Sequence, residues 1–304
     1  VAGALVDHQG SRQRIRARRA TVLASGGYQS DHAIQAQFLG DTYYGLGPAS
    51  NSGDGIRMAQ AVGADLWHMA AVACTPGYRV PDFEPPIGHH MPAGGFVYLD
   101  QRGHRFMDET GIDAHGWWAE ATYADPETMA RPRIPAYVVF GERTRLTGPI
   151  AFTDRGAISD LYAWSADNSE ELRRGWIGCA SSVDELASQL NVDAAALDAT
   201  LSAYETACAS GNDGEFGREA STLEPIAGPP YYSIALWPTL FNTQGGPRRD
   251  AASRVIDALG RPIPRLYSAG ELGSLWHRFY PGAGNVSEAL ASGRIAGRNA
   301  ADQV

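Results

Sequence analysis

Three short glycine-bearing turns constrain this chain more than any other feature. The first, Ala24-Ser25-Gly26-Gly27, ends an apolar, strand-like run over residues 20–25. The second, Asn51-Ser52-Gly53-Asp54-Gly55, opens a helical pattern in which Ile56, Ala59 and Val62 share a face and Gly63 is the stop. The third, Gly282-Ala283-Gly284-Asn285, opens a last helix expected over residues 285–300, with an inward stripe of Val286, Ala289, Leu290, Gly293, Ala296, Gly297 and Ala300. Strand ends and helix starts are where α/β folds hold phosphates and cofactors, because free backbone N–H groups and the positive end of the helix dipole meet there. Taken singly, each turn is equally a plain tight connection.

The rest of the chain is organised around these turns. Residues 1–6 and 14–18 read as a hairpin, whose basic run Arg12 to Arg19 alternates with other residues and fits a solvated strand face rather than a nucleic-acid surface. Residues 20–25 read as a buried strand. From Trp67 to Ile134, prolines and aromatics become dense, which marks a second, less regular domain. That domain continues with a strand over 136–140, a helix after the capping-box pattern Ser182-Val183-Asp184-Glu185, and a helix with the stripe Leu197, Leu201, Tyr204 and Cys208. Residues 233–236 and 266–269 read as further strands, and Arg254 to Ile256 with Gly260 as a hairpin.

Composition excludes several classes. Net charge is −9 with no long block of either sign, and no stretch reaches the ~18 apolar residues of a membrane span. Cys74, Cys179 and Cys208 are few and far apart, which argues against a disulfide framework or zinc site and fits a cytoplasmic protein. The histidines show no metal-ligand spacing, and the adjacent His89 and His90 in a Pro-rich stretch read as loop surface. The seven tryptophans read mainly as core, with some available to line an apolar pocket. The first residues, Val-Ala-Gly-Ala-Leu-Val, form a strand-like run without a starter Met and read as the middle of a larger protein.

In their order along the chain, the turns resemble the flavoprotein family of fumarate reductase, succinate dehydrogenase and 3-ketosteroid Δ1-dehydrogenase. The family's Ala-Thr-Gly-Gly turn is matched with Ser25 in place of Thr, and its Thr-Gly-Asp-Gly helix start with Ser52 in place of Thr. Leu266-Tyr267-Ser268-Ala269-Gly270-Glu271 and Gly293-Arg294-Ile295-Ala296-Gly297 match its closing motifs. The resemblance implies an α/β, Rossmann-like FAD-binding domain interrupted by an α+β capping domain, with divisions at 1–68, 69–225 and 226–304. It implies FAD held by Ala24, Ser25, Gly26, Gly27, Ser52, Gly53, Asp54, Gly55, Gly270, Glu271, Gly284, Asn285 and Val286, with Glu271 on FAD hydroxyls and residues 284–286 against the flavin ring. The Gly-rich helix start would stabilise the negative charge of a reduced flavin. The family's GxGxxG segment is absent from the sequence, so an FAD-binding segment on the same or a separate chain is expected as a partner.

The resemblance also narrows the chemistry. Fumarate reductases use histidines and an arginine for substrate carboxylates. Those positions fall near Thr75, at Asn242 and at Tyr280, none of which matches. The run Gly103-His-Arg-Phe-Met-Asp-Glu109 keeps the family's proton-relay Glu as Glu109, and Arg145 falls at the proton-donating Arg; the plain alternatives are a salt bridge from Glu109 to Arg105 and a solvated helix position for Arg145. The turn Tyr280-Pro-Gly-Ala-Gly284 resembles the ketosteroid dehydrogenases, in which this Tyr hydroxyl and Gly N–H bind the substrate carbonyl. The expected activity is therefore hydride transfer at a carbon–carbon bond beside a carbonyl, on a small apolar substrate. Tyr280, Gly284, Arg145 and Glu109 are the candidate catalytic residues. The base is not mapped, with Tyr123 and Tyr162 available. A fumarate- or urocanate-type reductase and a non-catalytic remnant are the alternatives.

Overall fold

The computed structural model describes residues 1–111, 116–277, 282 and 284–303. The chain forms two compact units, one made of Val1–Ala73 with Leu240–Val304, the other of Cys74–Thr239. In chain order the elements are β1 (Gly3–His8), β2 (Ser11–Arg16), β3 (Thr21–Leu23), α1 (His32–Leu39), β4 (Tyr44–Gly45), α2 (Asp54–Gln60) and β5 (Leu66–Trp67). The next are β6 (Val72–Tyr78), β7 (Ile87–His89), β8 (Phe96–Leu99), α3 (Trp117–Ala121), β9 (Ala136–Gly141), α4 (Glu142–Thr147), β10 (Ala151–Phe152), α5 (Ser169–Arg173), β11 (Gly178–Ala180), α6 (Val183–Leu190), α7 (Ala194–Ser210) and β12 (Tyr231–Thr243). The last are β13 (Gly246–Pro247), β14 (Arg254–Ile256), β15 (Pro262–Ser268) and α8 (Gly284–Ala301). The chain crosses between units inside β6 and β12, so the first expected division, at 68, lies just before β6, and the second, at 225, precedes β12 altogether.

In the first unit, β1 and β2 pair antiparallel from Gly3 opposite Arg16 to His8 opposite Ser11. The two-residue loop Gln9-Gly10 has positive φ at both positions, the type I′ geometry that suits the twist of a hairpin. β2 is exposed along its whole length, as its basic alternation requires. β3 pairs in parallel with β15, which pairs antiparallel with β14. The expected buried strand is instead half-exposed, with Val22 40% accessible, because β3 lies at the edge of this three-stranded sheet. α2 ends at Gln60, so Ile56 and Ala59 are buried but Val62, beyond the last turn, is exposed. Tyr28, Ile34, Ile56, Met69 and Leu272 form a core that joins the regions of the first two turns to the segment after β15.

The second unit is built on strands in the order β10-β7-β6-β12-β9-β8, with β11 also on β12. Leu186, Leu190, Leu197, Leu201 and Tyr204 of α6 and α7 pack on Val97, Leu99 and Val139. This is the stripe the sequence shows, with Cys208 at its partly buried margin. Ser182 caps α6 by accepting from Glu185 N at 3.1 Å, but Glu185 reaches back to Ser181 N rather than to Ser182. No helix among the described residues is long and apolar enough to cross a membrane.

The last helix corrects the sequence reading most sharply. Its buried residues are Gly284, Glu288, Ser292 and Ala296, while Val286 and Leu290 are 67% and 73% accessible. The cause is a polar demand. Arg249 is buried, donates to the carbonyls of Gly270 and Leu272 at 3.1 Å, and needs a carboxylate. Glu288 supplies it and also accepts from Ser274 Oγ at 2.6 Å and Leu275 N at 2.7 Å. Ser292 Oγ accepts from Gly270 N at 2.9 Å. One i, i+4 row thus satisfies every polar group it buries. Breaking a buried pair leaves an uncompensated charge, so Glu288→Ala is expected to cost about 3–5 kcal/mol in chemical denaturation, whereas Leu290→Ser is expected to stay within about 0.5 kcal/mol.

Candidate functional site

The first two turns converge within the first unit. Gly26 and Gly53 adopt left-handed φ of 75° and 74°, which glycine accommodates without strain. Gly53 N donates to Gly27 O at 3.1 Å, and Tyr28 N to Thr243 Oγ1 at 2.9 Å. Gly27 has no room for a side chain: a Cβ there would lie 2.1 Å from Thr243 Oγ1 and 2.4 Å from Glu271 Oε1. A Cβ on Gly55 would lie 2.2 Å from Ser25 Oγ, and one on Gly26 2.8 Å from Asn51 Oδ1. Ser25, Gly26, Gly27, Gly53, Gly55 and Glu271 are therefore one constellation, bounded by Thr243, which the sequence did not single out. Half-buried Ser52 and exposed Asp54 stand outside it, with Ser52 Oγ bonded to Asp54 at 3.0 Å. Ala24 follows β3. Gly270 turns at φ 71° to carry the chain from β15 to Glu271.

Glu271 is the electrostatic centre of this constellation. Desolvation pushes its carboxyl up to about 7, while the backbone N–H groups of Thr243 and Gly27 pull the other way. Gln244, next to Thr243 in the chain, is fully buried, yet neither Nε2 nor Oε1 of its amide finds a partner among the described residues, and Gln29 Oε1, which faces the same Gly27 position as Glu271 Oε1, is in the same state. Buried amides are normally bonded. The open Gln29 oxygen near the desolvated carboxyl, with the open Gln244 amide in the segment that follows Thr243, suits a polar ring edge and sugar hydroxyls, so these residues fit FAD. The start of α8 is less open: a Cβ on Gly284 would lie 2.8 Å from the Trp276 indole. Asn285 lies in the first turn of α8, and Val286 faces outward. Tyr280 lies outside the described residues.

The second unit holds a cavity of about 450 Å³ lined in part by Thr75, His89, Phe96, Tyr98, Glu109 and Trp117. Glu109 has no free oxygen for a relay. Arg105 Nε and Nη2 donate to its two oxygens at 2.8 and 2.9 Å, and Arg218 Nη1 adds a third bond at 3.1 Å. Arg145 is turned onto Glu142, with bonds of 2.6 and 2.7 Å, and its Nη1 donates to Asp167 O at 2.7 Å. The sequence-derived pair Glu109 and Arg145 is thus committed to structural partners. Tyr162 donates to Glu171 at 2.6 Å, and Tyr123 is 42% accessible. His89 corrects the loop-surface expectation: it ends β7, and both ring nitrogens are bonded inside the cavity wall. Its signal, two aromatic hydroxyls brought together by strand pairing, is not visible in sequence.

The Glu271 shift carries a testable pH dependence. Its folded pKa lies above its ordinary 4.5. Between about 4.5 and 7 the folded chain holds the proton that the unfolded chain has lost, so stability falls as pH rises through that window. Glu271→Gln removes this loss. Its Tm is expected to match the natural chain at pH 4 and to exceed it by a few degrees at pH 8; equal Tm values at both would contradict the burial described.

The chain is similar to known proteins over nearly its whole length. A family profile described as an FAD binding domain matches residues 1–287. The 4-oxocyclohexanecarboxylate 2-dehydrogenase of Sinomonas cyclohexanicum is 27% identical over 96% of this chain and 53% of its own length. The NADH:fumarate oxidoreductase of Klebsiella pneumoniae is 26% identical over 93% of this chain and 28% of its own length. Among solved structures, 3-ketosteroid delta1-dehydrogenase from Sterolibacterium denitrificans, in complex with 1,4-androstadiene-3,17-dione, superposes with a TM-score of 0.82 at 26% identity, over 99% of this chain and 57% of that one. The chain spans about half the length of the first of these relatives and of the steroid enzyme. By sequence and fold, the chain belongs to the FAD-binding domain family of flavoprotein oxidoreductases.

Proposed function

We propose that this chain is the larger part of an FAD-dependent dehydrogenase or reductase acting at a carbon–carbon bond beside a carbonyl of an apolar ring substrate. The observation that carries the proposal is the fold likeness to a ketosteroid dehydrogenase, together with Thr75, Asn242 and Tyr280 at the positions where fumarate reductases handle carboxylates. Ser25, Gly26, Gly27, Gly53, Gly55, Gln244 and Glu271 would hold FAD. Bound there, it supplies a two-electron hydride acceptor or donor. The Tyr280 hydroxyl and Gly284 N–H would bind the substrate carbonyl, and two donors on one oxygen acidify the neighbouring C–H. The open edge of β3, with Val22 exposed, favours a further FAD-binding segment as partner, on the same or a separate chain. Three separated cysteines, one of them exposed, favour a reducing cytoplasm.

The fumarate-reductase reading is disfavoured by the pairing of Arg145 with Glu142 and by the saturation of Glu109 with guanidinium groups. The carbonyl-binding role is tested by Tyr280→Phe in the complete enzyme, followed with cyclic enones and, as control, fumarate. Loss of one donor to a developing oxyanion is expected to lower kcat by about 10²–10³. An unchanged rate on enones would remove Tyr280 from the mechanism.

A further inference from the structure

The cavity of the second unit carries two polar groups whose hydrogen-bonding state is fixed by their surroundings. Tyr78 has one hydroxyl hydrogen, and the Ile150 carbonyl, which can only accept, takes it at 2.9 Å. The 2.6 Å contact between Tyr78 Oη and His89 therefore has His89 Nδ1–H as its donor. His89 Nε2 then bears a lone pair and accepts the Tyr98 hydroxyl hydrogen at 2.7 Å. Burial holds the imidazole neutral, with its pKa pushed down to about 3, so this polarity persists at ordinary pH. Tyr98 Oη is left as an acceptor. Trp117 presents the opposite need: the residue is 2% exposed, and its Nε1–H finds no acceptor among the described residues. The two rings meet edge to face with centroids 5.3 Å apart, and both line the cavity.

We infer that this cavity binds an apolar ring compound through a hydroxyl group that accepts from Trp117 Nε1–H and donates to Tyr98 Oη. A ketone or ether oxygen answers Trp117 alone; a hydroxyl answers both. Phe96 and Met107 supply apolar wall, and about 450 Å³ accommodates a multi-ring ligand. His89 is the positioning residue, because it takes up the Tyr98 hydrogen and so sets which oxygen chemistry the wall prefers. The inference rests on the substrate class proposed above only for the apolar ring.

The test is binding without turnover, so its failure is distinguishable from failure of the flavin chemistry. Isothermal titration of the 304-residue chain with 2-naphthol, 2-methoxynaphthalene and naphthalene is expected to give the alcohol about tenfold tighter binding than the ether, with the bare hydrocarbon weaker still. His89→Leu leaves Tyr78 on Ile150 and frees the Tyr98 hydrogen. It is expected to erase the preference for alcohol over ether, which a merely structural histidine would not do. If that variant does not fold, Tyr98→Phe carries the test, since it must bring 2-naphthol down to the affinity of the ether. Equal affinities for the three probes, no binding of any of them, or an alcohol preference that survives the variant tested would overturn the inference.

Discussion

The Glu271 carboxylate sits where three remote parts of the sequence meet. One oxygen occupies the space that any side chain on Gly27 would need, and it accepts from the backbone of Thr243 at the end of β12. The first glycine turn, the end of the long strand and the turn after β15 are thereby held together through a group that is costly to ionise where it sits. A buried carboxyl kept only by backbone N–H groups is poor as a stabilising device and well suited to meeting polar ligand atoms. The unpaired Gln244 amide points the same way. The rest of the first unit is built to hold this point: Arg249 and Glu288 fasten α8 to the carbonyls of residues 270 and 272, on either side of Glu271.

The second unit solves a different problem. Arg105 and Arg218 face Glu109, and Arg105 also meets Asp213, all with side chains nearly inaccessible to solvent. Balanced charge with many short bonds makes such a cluster tolerable in a low-dielectric interior. It ties the segment after β8 to the loop after α7 and leaves the cavity wall to Tyr98, His89 and Trp117. The Glu of the motif that resembles the family's proton relay lies within this cluster.

Much of the fold was legible because it rests on local rules. The hairpin of β1 and β2 follows from alternation and a Gly-bearing turn, α7 from a stripe of apolar residues, and the two converging turns from glycine placed at a strand end and a helix start. The misreadings share one cause, which is that long-range polar demand does not show in a local pattern. α8 looked as though it buried Val286 and Leu290. A buried Arg249, thirty-nine positions before Glu288, turned the helix so that Glu288 and Ser292 face inward instead. His89 looked like loop surface because nothing near it in sequence announces Tyr78 and Tyr98 as partners. Thr243 and Gln244 carried no signal of their own beyond following Asn242.

The central claim is that the open amide and the desolvated carboxyl beside the glycine turns serve a flavin. It is tested most directly by Gln244→Leu in the complete protein, with FAD affinity measured by fluorescence titration and stability by thermal unfolding. Leucine matches the volume and removes two buried groups without partners, so the fold should be as stable or more so. The account predicts that such a stable variant binds FAD at least about tenfold more weakly, equivalent to about 1.4 kcal/mol. A stable variant with unchanged FAD affinity would contradict it.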